Sequence, residues 1–186
     1  MVGYQANNTM EEYKITLENQ IRNAWPILAH LLICFLLFIW GSEKYPNISK
    51  DELLIGIALF FAINFIPQLI IHLNYVRVNK HDILIYYPQT KDFIFKHGDI
   101  EVNFNIDDIV SITNYKSFGL AEKSVRFMSY DSYNHSKIIL KTGNVIIITS
   151  LMVGGELKLA IDESKVIVKK RIYRYVSGSS LTNENN

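Results

Sequence analysis

The residues of this chain best suited to metal binding or acid–base catalysis are five scattered histidines, and no two stand at the spacing of a metal-ligand pair. The chain also lacks a Gly-x-Ser-x-Gly elbow, a glycine-rich phosphate loop and a His-Glu-x-x-His motif. We therefore predict no metal, no cofactor and no enzymatic activity. The five are His30, His72, His81, His97 and His135.

Three further polar features have ordinary structural explanations. Asp107 and Asp108 are adjacent in a predicted turn, where both carboxylates face water. The stretch 129–136 contains tyrosines and polar residues that are typical of a recognition loop, but also of an ordinary surface loop. Cys34 is the only cysteine, so neither an intrachain disulfide nor a cysteine-based zinc cluster can form.

The strongest functional pattern is a basic cluster near the C-terminus. If this cluster lies against a membrane, each cation gains about 1 kcal/mol from anionic headgroups. A solvated basic helix end explains the same pattern equally well. The candidate lipid-contact residues are Lys165, Lys169, Lys170, Arg171 and Arg174.

Two long apolar runs dominate the N-terminal part of the chain. No charge occurs from Asn23 to Ser42 or from Leu53 to Val76, and each run is long enough to cross a hydrocarbon core about 30 Å thick. Trp25 and Trp40 flank the first run, as interfacial residues do. The bulky residues before Gly41 argue against a signal-peptide cleavage site. The sequence predicts a transmembrane hairpin over 23–76, with spans at about 24–41 and 53–75.

The second span carries three polar side chains that are candidates for intramembrane contacts. Such residues either mark a transport pathway or hydrogen-bond a neighbouring helix, and with two spans per chain packing is favoured. The partner helix can belong to this chain or to a second copy in a homo-oligomer. The three residues are Asn64, Gln68 and His72.

The positive charges flanking the spans predict the orientation. The connecting loop offers Lys44 and Lys50, whereas the outer flanks offer Lys14 and Arg22, then Arg77, Lys80 and Lys91. By the positive-inside rule both termini, including the segment 1–22, are expected in the cytoplasm. The predicted location is the cell (inner) membrane, with the lipid bilayer as the first partner.

Residues 77–176 have the composition of a water-soluble domain. They contain 15 Lys and Arg against 11 Asp and Glu, a net charge of +4 that is too small to indicate nucleic-acid binding. Short alternating segments predict seven strands, followed by an amphipathic helix from Leu157 to Tyr175, although 166–168 also suits a strand. Residues 177–186 are predicted to be a disordered tail. The candidate strands are 83–87, 92–96, 100–105, 110–115, 125–128, 137–141 and 145–149.

Three local motifs carry a resemblance to a known family. They are the Ile106–Ile109 turn, the isoleucine-rich hairpin around Gly143, and the segment from Ile148 to Met152. Together with the two-span hairpin, they resemble bacterial membrane-anchored pleckstrin-homology (PH) domain proteins of the Bacteroidetes type. The resemblance implies an α+β fold: a transmembrane hairpin followed by a seven-stranded antiparallel PH-like barrel with a C-terminal helix. It implies no reaction.

The leading hypothesis is a non-enzymatic binding or scaffold module for a protein partner or anionic lipid, held at the membrane by its hairpin. Tethering raises the effective concentration of any membrane-bound partner. Two alternatives remain open: an immunity or toxin-related envelope protein, and an accessory subunit of a transport complex that uses Asn64, Gln68 and His72.

Overall fold

The computed structural model describes residues 10–125, 128–159 and 161–183. Its N-terminal half is built on two long apolar helices. The Thr16 hydroxyl caps the short helix α1 (Leu17–Ala24), and Pro26 occupies the first position of α2 (Pro26–Lys44). A Ser49–Glu52 capping box starts α3 (Lys50–Asn79). Gly41 lets α2 and α3 approach closely, since a Cβ there would lie 3.0 Å from the Leu53 side chain. Two single helical turns, α4 (Phe118–Ala121) and α5 (Ser150–Val153), come later in the chain.

Two sheets follow the helices. The strands are β1 (Glu11–Tyr13), β2 (Asp82–Tyr87), β3 (Asp92–His97), β4 (Ile100–Asn105), β5 (Ile109–Lys116), β6 (His135–Leu140), β7 (Asn144–Thr149), β8 (Val166–Lys170) and β9 (Leu181–Asn183). A four-stranded antiparallel sheet has the order β1-β2-β3-β4, and a five-stranded sheet has the order β8-β5-β6-β7-β9. In the second sheet β8 runs parallel to β5, so that sheet is mixed.

The main core lies between the two sheets, where alternate residues of β2 to β7 point inward. A second cluster forms where the last turns of α3 pack on the outer face of the five-stranded sheet. There Ile71, Tyr75 and Val78 contact Tyr133 and Leu151. The fold is therefore α+β, with two long apolar helices and antiparallel and mixed sheets.

The predicted C-terminal amphipathic helix is wrong. In their described part residues 157–161 are neither helix nor strand, and Leu157, Leu159 and Ile161 pack against the main core at every second position. The chain then forms β8, which pairs with β5 from Val166 to Lys170. The apolar residues fit a helical period by coincidence. The alternation at 157–161 lets that segment pack on the core, and the β-branched run at 166–168 favours pairing with β5 over a helix.

Both ends of the described chain contribute strands. The tail, expected to be disordered from residue 177, contains β9, whose Leu181 packs on the main core and pairs with Ile146; residues 184–186 lie outside the described ranges. At the other end, Glu11–Tyr13 pairs with β2, and the first helix starts at Leu17. Short polar segments of this kind gain order from a sheet edge that offers unpaired backbone groups.

The strand count therefore differs from the predicted seven. Six of the predicted strands are present as β2 to β7, and β1, β8 and β9 bring the total within the described residues to nine. The seventh predicted strand, 125–128, includes residues 126 and 127, which lie outside the described ranges.

Candidate functional site

The most elaborate polar arrangement lies where the end of α3 meets the five-stranded sheet. Tyr75 is fully buried, and its hydroxyl donates to the carbonyl oxygen of Arg174 at 2.9 Å. Because that donation uses its only proton, the hydroxyl accepts from Nδ1–H of His135, 3.0 Å away. This leaves His135 Nε2 without a proton. We call Tyr75, His135 and Arg174 the junction triad.

The protonation states at the junction triad are those of a structural site. Burial, reinforced by the charges of Arg174 and Arg171, lowers the pKa of His135 to about 4. Burial also raises the pKa of the neighbouring Tyr133 to about 12. Neither value is near neutrality, where a general acid or base works best. The hydrogen bonds of the triad join α3, β6 and the C-terminal segment.

Arg174 anchors the C-terminal segment. Its side chain is fully buried, and Nη1 donates to the carbonyl oxygens of Arg171 and Ile172 at 2.8 Å, while Nη2 donates to that of Tyr130. Its guanidinium also lies 5.8 Å from the centre of the Tyr130 ring, within cation–π range. Arg174 therefore cannot serve as the lipid contact predicted from the sequence, because a buried guanidinium does not reach a membrane surface.

The other basic residues of the predicted cluster are separated along β8. Lys169, Lys170 and Arg171 lie at the end nearest the helices, where the Arg171 N–H donates to the carbonyl oxygen of Lys116. Lys165 lies at the opposite end of the strand, and its Nζ donates to the carbonyl oxygen of Ile109. Lys170 forms an exposed ion pair with Glu122, with 2.7 Å between Nζ and Oε1. Three of the five predicted residues are thus exposed and consecutive along the chain, and we call them the basic rim (Lys169, Lys170 and Arg171).

The three polar residues of the second apolar run contact other parts of this same chain. The Gln68 amide nitrogen lies 3.5 and 3.4 Å from the carbonyl oxygens of Asn23 and Ala24, at the boundary between α1 and α2. The His72 Nδ1 lies 2.9 Å from the Tyr133 hydroxyl. The Asn64 side-chain amide donates to the carbonyl oxygen of Phe60, and the backbone carbonyl oxygen of Asn64 accepts from the Ser129 hydroxyl at 2.9 Å. The Asn64 and His72 contacts join α3 to residues 129–133, and the Gln68 contacts join α3 to the boundary between α1 and α2.

A groove lies beside the junction triad on the outer face of the five-stranded sheet. Its volume is about 330 Å³, and the described residues that line it include Lys137, Arg171, Ser177 and Ser179 but no Asp or Glu. On its floor Tyr115 stacks on His135 with 4.6 Å between ring centres, and the Arg171 guanidinium lies 5.2 Å from the centre of the Tyr115 ring. The groove suits an anionic or hydroxyl-bearing ligand better than a cationic one.

The other predicted chemical candidates have structural roles. The Asp108 carboxylate accepts from the backbone N–H of Asn105 and so caps the turn at 106–108. His97 lies 2.7 Å from the Asp82 carboxylate and 3.0 Å from the Ser180 hydroxyl, which fixes the C-terminal segment to β2 and β3. Within the described ranges no three His, Cys, Asp or Glu residues are placed to hold a metal ion.

Sequence reasoning missed the junction triad because its members are 60 and 39 positions apart along the chain. One pattern pointed to it. Asn74 and Tyr75 stand at the end of an otherwise apolar run that is longer than a bilayer requires. A polar end on an overlong apolar helix indicates that the helix continues into a folded domain.

Comparison with known protein families matches residues 12–158 to the family described as PH domain. No curated protein and no solved structure matches the chain.

Proposed function

The chain belongs to the PH-domain family, and from this membership we propose that it is a non-enzymatic binding or scaffold module anchored in a bacterial cell membrane. In this proposal α2 and the first part of α3 cross the bilayer, and the domain stands on the cytoplasmic side. The basic rim then faces the anionic headgroups, and the domain surface receives a lipid or a protein partner.

The observation that carries the proposal is the exposure of the two apolar helices. Their most apolar stretches are only 11% and 17% buried, whereas the core helix of a soluble protein is mostly buried. An apolar surface of this size needs a partner of similar polarity. Its exposed members include Leu28, Leu32, Phe35, Leu36 and Trp40 on α2, and Leu54, Ile55, Leu59 and Ile63 on α3.

A second observation supports a fixed placement of the domain. The helix α3 runs without interruption from its exposed apolar half into the buried cluster around Tyr75. Polar contacts at Asn23, Gln68 and Ser132 close the same joint, since the Ser132 hydroxyl donates to the carbonyl oxygen of Asn23. A domain held in this way presents one face to the membrane rather than rotating freely on a linker.

Membrane integration and orientation can be tested together. The full chain should stay with vesicles after alkaline carbonate washing, whereas release would contradict the proposal. In a Cys34→Ala background, Asn47→Cys in the connecting loop and Asn103→Cys on β4 report the two sides. A membrane-impermeant maleimide added to intact cells should label residue 47 and leave residue 103 unlabelled. The reverse pattern would contradict the predicted orientation.

Lipid binding has its own matched test. Anionic lipid that binds the folded state should raise the melting temperature of the full chain in detergent more than neutral lipid does. The variant K169Q/K170Q/R171Q should lose this difference, because each cation contributes about 1 kcal/mol near anionic headgroups. The control K91Q/K141Q/K165Q removes three lysines from turns and strand ends remote from the helices and should retain it. Equal behaviour of both variants would contradict a lipid role for the basic rim.

The contacts of Asn64, Gln68 and His72 favour packing over a transport pathway. Each of the three makes a hydrogen bond within this chain, as polar residues that pack against a neighbouring segment do, while Asn64 Oδ1 and Gln68 Oε1 are buried without a partner among the described residues. If the chain were a transport subunit, conservative replacement of all three would abolish transport by the complex while the protein remained folded.

A further inference from the structure

The length of the hairpin conflicts with a domain that stays outside the bilayer. A hydrocarbon core about 30 Å thick takes about 20 helical residues at 1.5 Å per residue. Counted from the loop ends of the charge-free runs, Ser42 and Leu53, this length reaches Asn23, just before α2, and His72 on α3. The inner boundary of the core therefore falls near Trp25, a residue type that prefers that boundary.

The domain contacts the hairpin inside the hydrocarbon core, on the loop side of this boundary. The Ser129 hydroxyl donates to the carbonyl oxygen of Asn64, eight residues closer to the loop than His72. Met128 shares a cavity of about 350 Å³ with Ala29, His30 and Ile33, which lie beyond Trp25 along α2. From Leu53 to Asn64 the helix rises only about 17 Å, which is too short to cross the core between the loop and the level of Ser129.

The side chains at this level are suited to lipid. Phe118, Val125 and Met128 are 52%, 68% and 41% exposed. With Ile172 they line a cavity of about 380 Å³ that has Arg171 and Arg174 at its wall. We call these three exposed residues the apolar rim; the basic rim lies beside it, because Arg171 lines the same cavity.

We propose that the apolar rim (Phe118, Val125 and Met128) is inserted into the cytoplasmic leaflet, so that the domain lies partly within the bilayer rather than wholly outside it. This inference rests on the proposed membrane crossing by α2 and α3. The occupant of the surface is the lipid leaflet itself, because the apolar rim is continuous with the lipid-facing surface of α2 through the cavity that Met128 and Ile33 share. Inserted side chains bring Lys169, Lys170 and Arg171 to the depth of the phosphate groups.

Depth-dependent fluorescence quenching tests the inference on the full chain. In a Cys34→Ala background, Val125→Cys carries an environment-sensitive dye in liposomes containing lipids spin-labelled near the headgroup end of the acyl chain. Thr142→Cys, in the exposed turn between β6 and β7, is the matched control. We expect a blue-shifted emission and a large quenching loss at residue 125, and neither at residue 142. Phe118→Cys provides a second site with the same expected result.

The outcomes separate the two proposals. A protein that resists carbonate washing but shows no quenching at residues 118 and 125 overturns leaflet insertion and leaves the anchored module intact. Equal quenching at residues 125 and 142 also overturns it, because the loss would then not report depth. Extraction by carbonate removes the proposed function and this inference with it.

Discussion

The side-chain amide of Asn74 pairs with both backbone polar groups of Val176. Its Nδ2 donates to the Val176 carbonyl oxygen at 2.9 Å, and its Oδ1 accepts from the Val176 N–H at 2.8 Å. One side chain of α3 thus replaces a neighbouring strand for the C-terminal segment. Tyr75 makes a comparable contact one residue along, with the carbonyl oxygen of Arg174. The end of the hairpin and the end of the chain are therefore bound to each other within the domain.

Replacing Asn74 with leucine should release the C-terminal segment. The change keeps the side-chain size but leaves two buried backbone groups unpaired, which costs roughly 2–4 kcal/mol. The measurement is thermal unfolding of the full chain in detergent, together with amide exchange at Val176. Asn103→Ala on the exposed surface of β4 is the control and should change the unfolding free energy by less than about 0.5 kcal/mol. Unchanged protection of Val176 would contradict this assignment.

Replacing Arg174 with lysine should destabilise the protein although the charge is kept. A lysine ammonium cannot reach the three carbonyl oxygens that the guanidinium contacts, so a buried charge would remain incompletely bonded. We expect a loss of about 2–4 kcal/mol and faster proteolysis within 171–183. The exposed neighbour Arg171 provides the control, since Arg171→Gln should leave proteolysis unchanged. Equal cleavage of both variants would argue against Arg174 as the anchor.

The stability of the domain should fall as the pH is lowered from about 6.5 to about 4. His135 has a pKa of about 4 in the folded protein and about 6.5 when unfolded, so within this window the unfolded chain binds the additional proton. The slope from this one residue is at most about 1.4 kcal/mol per pH unit. His135→Gln should flatten the dependence, whereas replacing the exposed His81 with glutamine should preserve it. A steep slope that survives in His135→Gln would assign the dependence elsewhere.

Gly154 and its neighbour Gly155 form a matched pair for a backbone test. Gly154 has φ of +68°, and an added Cβ would lie 2.5 Å from Oδ1 of Asn19. Gly154→Ala should therefore cost about 1–3 kcal/mol and loosen α1 from the loop after α5. At Gly155 no atom of the described residues lies within 4 Å of the position that an added Cβ would take, so Gly155→Ala should be close to neutral. A reversed order of the two melting temperatures would contradict this account.

Local patterns along the chain predicted the two apolar helices, strands β2 to β7 and the turn around Gly143. Each depends on neighbouring residues: a long charge-free run, an alternation of period two, or a glycine with positive φ. The resemblance to PH-domain proteins came from local motifs of the same kind, and the family match over residues 12–158 confirms its PH-domain part.

The ends of the chain depended on tertiary structure. Residues 166–170 suit a helix or a strand by local pattern, and the unpaired edge of β5 selected the strand. Glu11–Tyr13 and Leu181–Asn183 carry no strong local preference, and they became ordered because β2 and β7 offered free backbone groups. The burial of Arg174 was likewise invisible in the sequence, where it looked like one more surface cation. One of its three carbonyl acceptors, that of Tyr130, is 44 residues away along the chain, and only folding brings it within reach of the guanidinium.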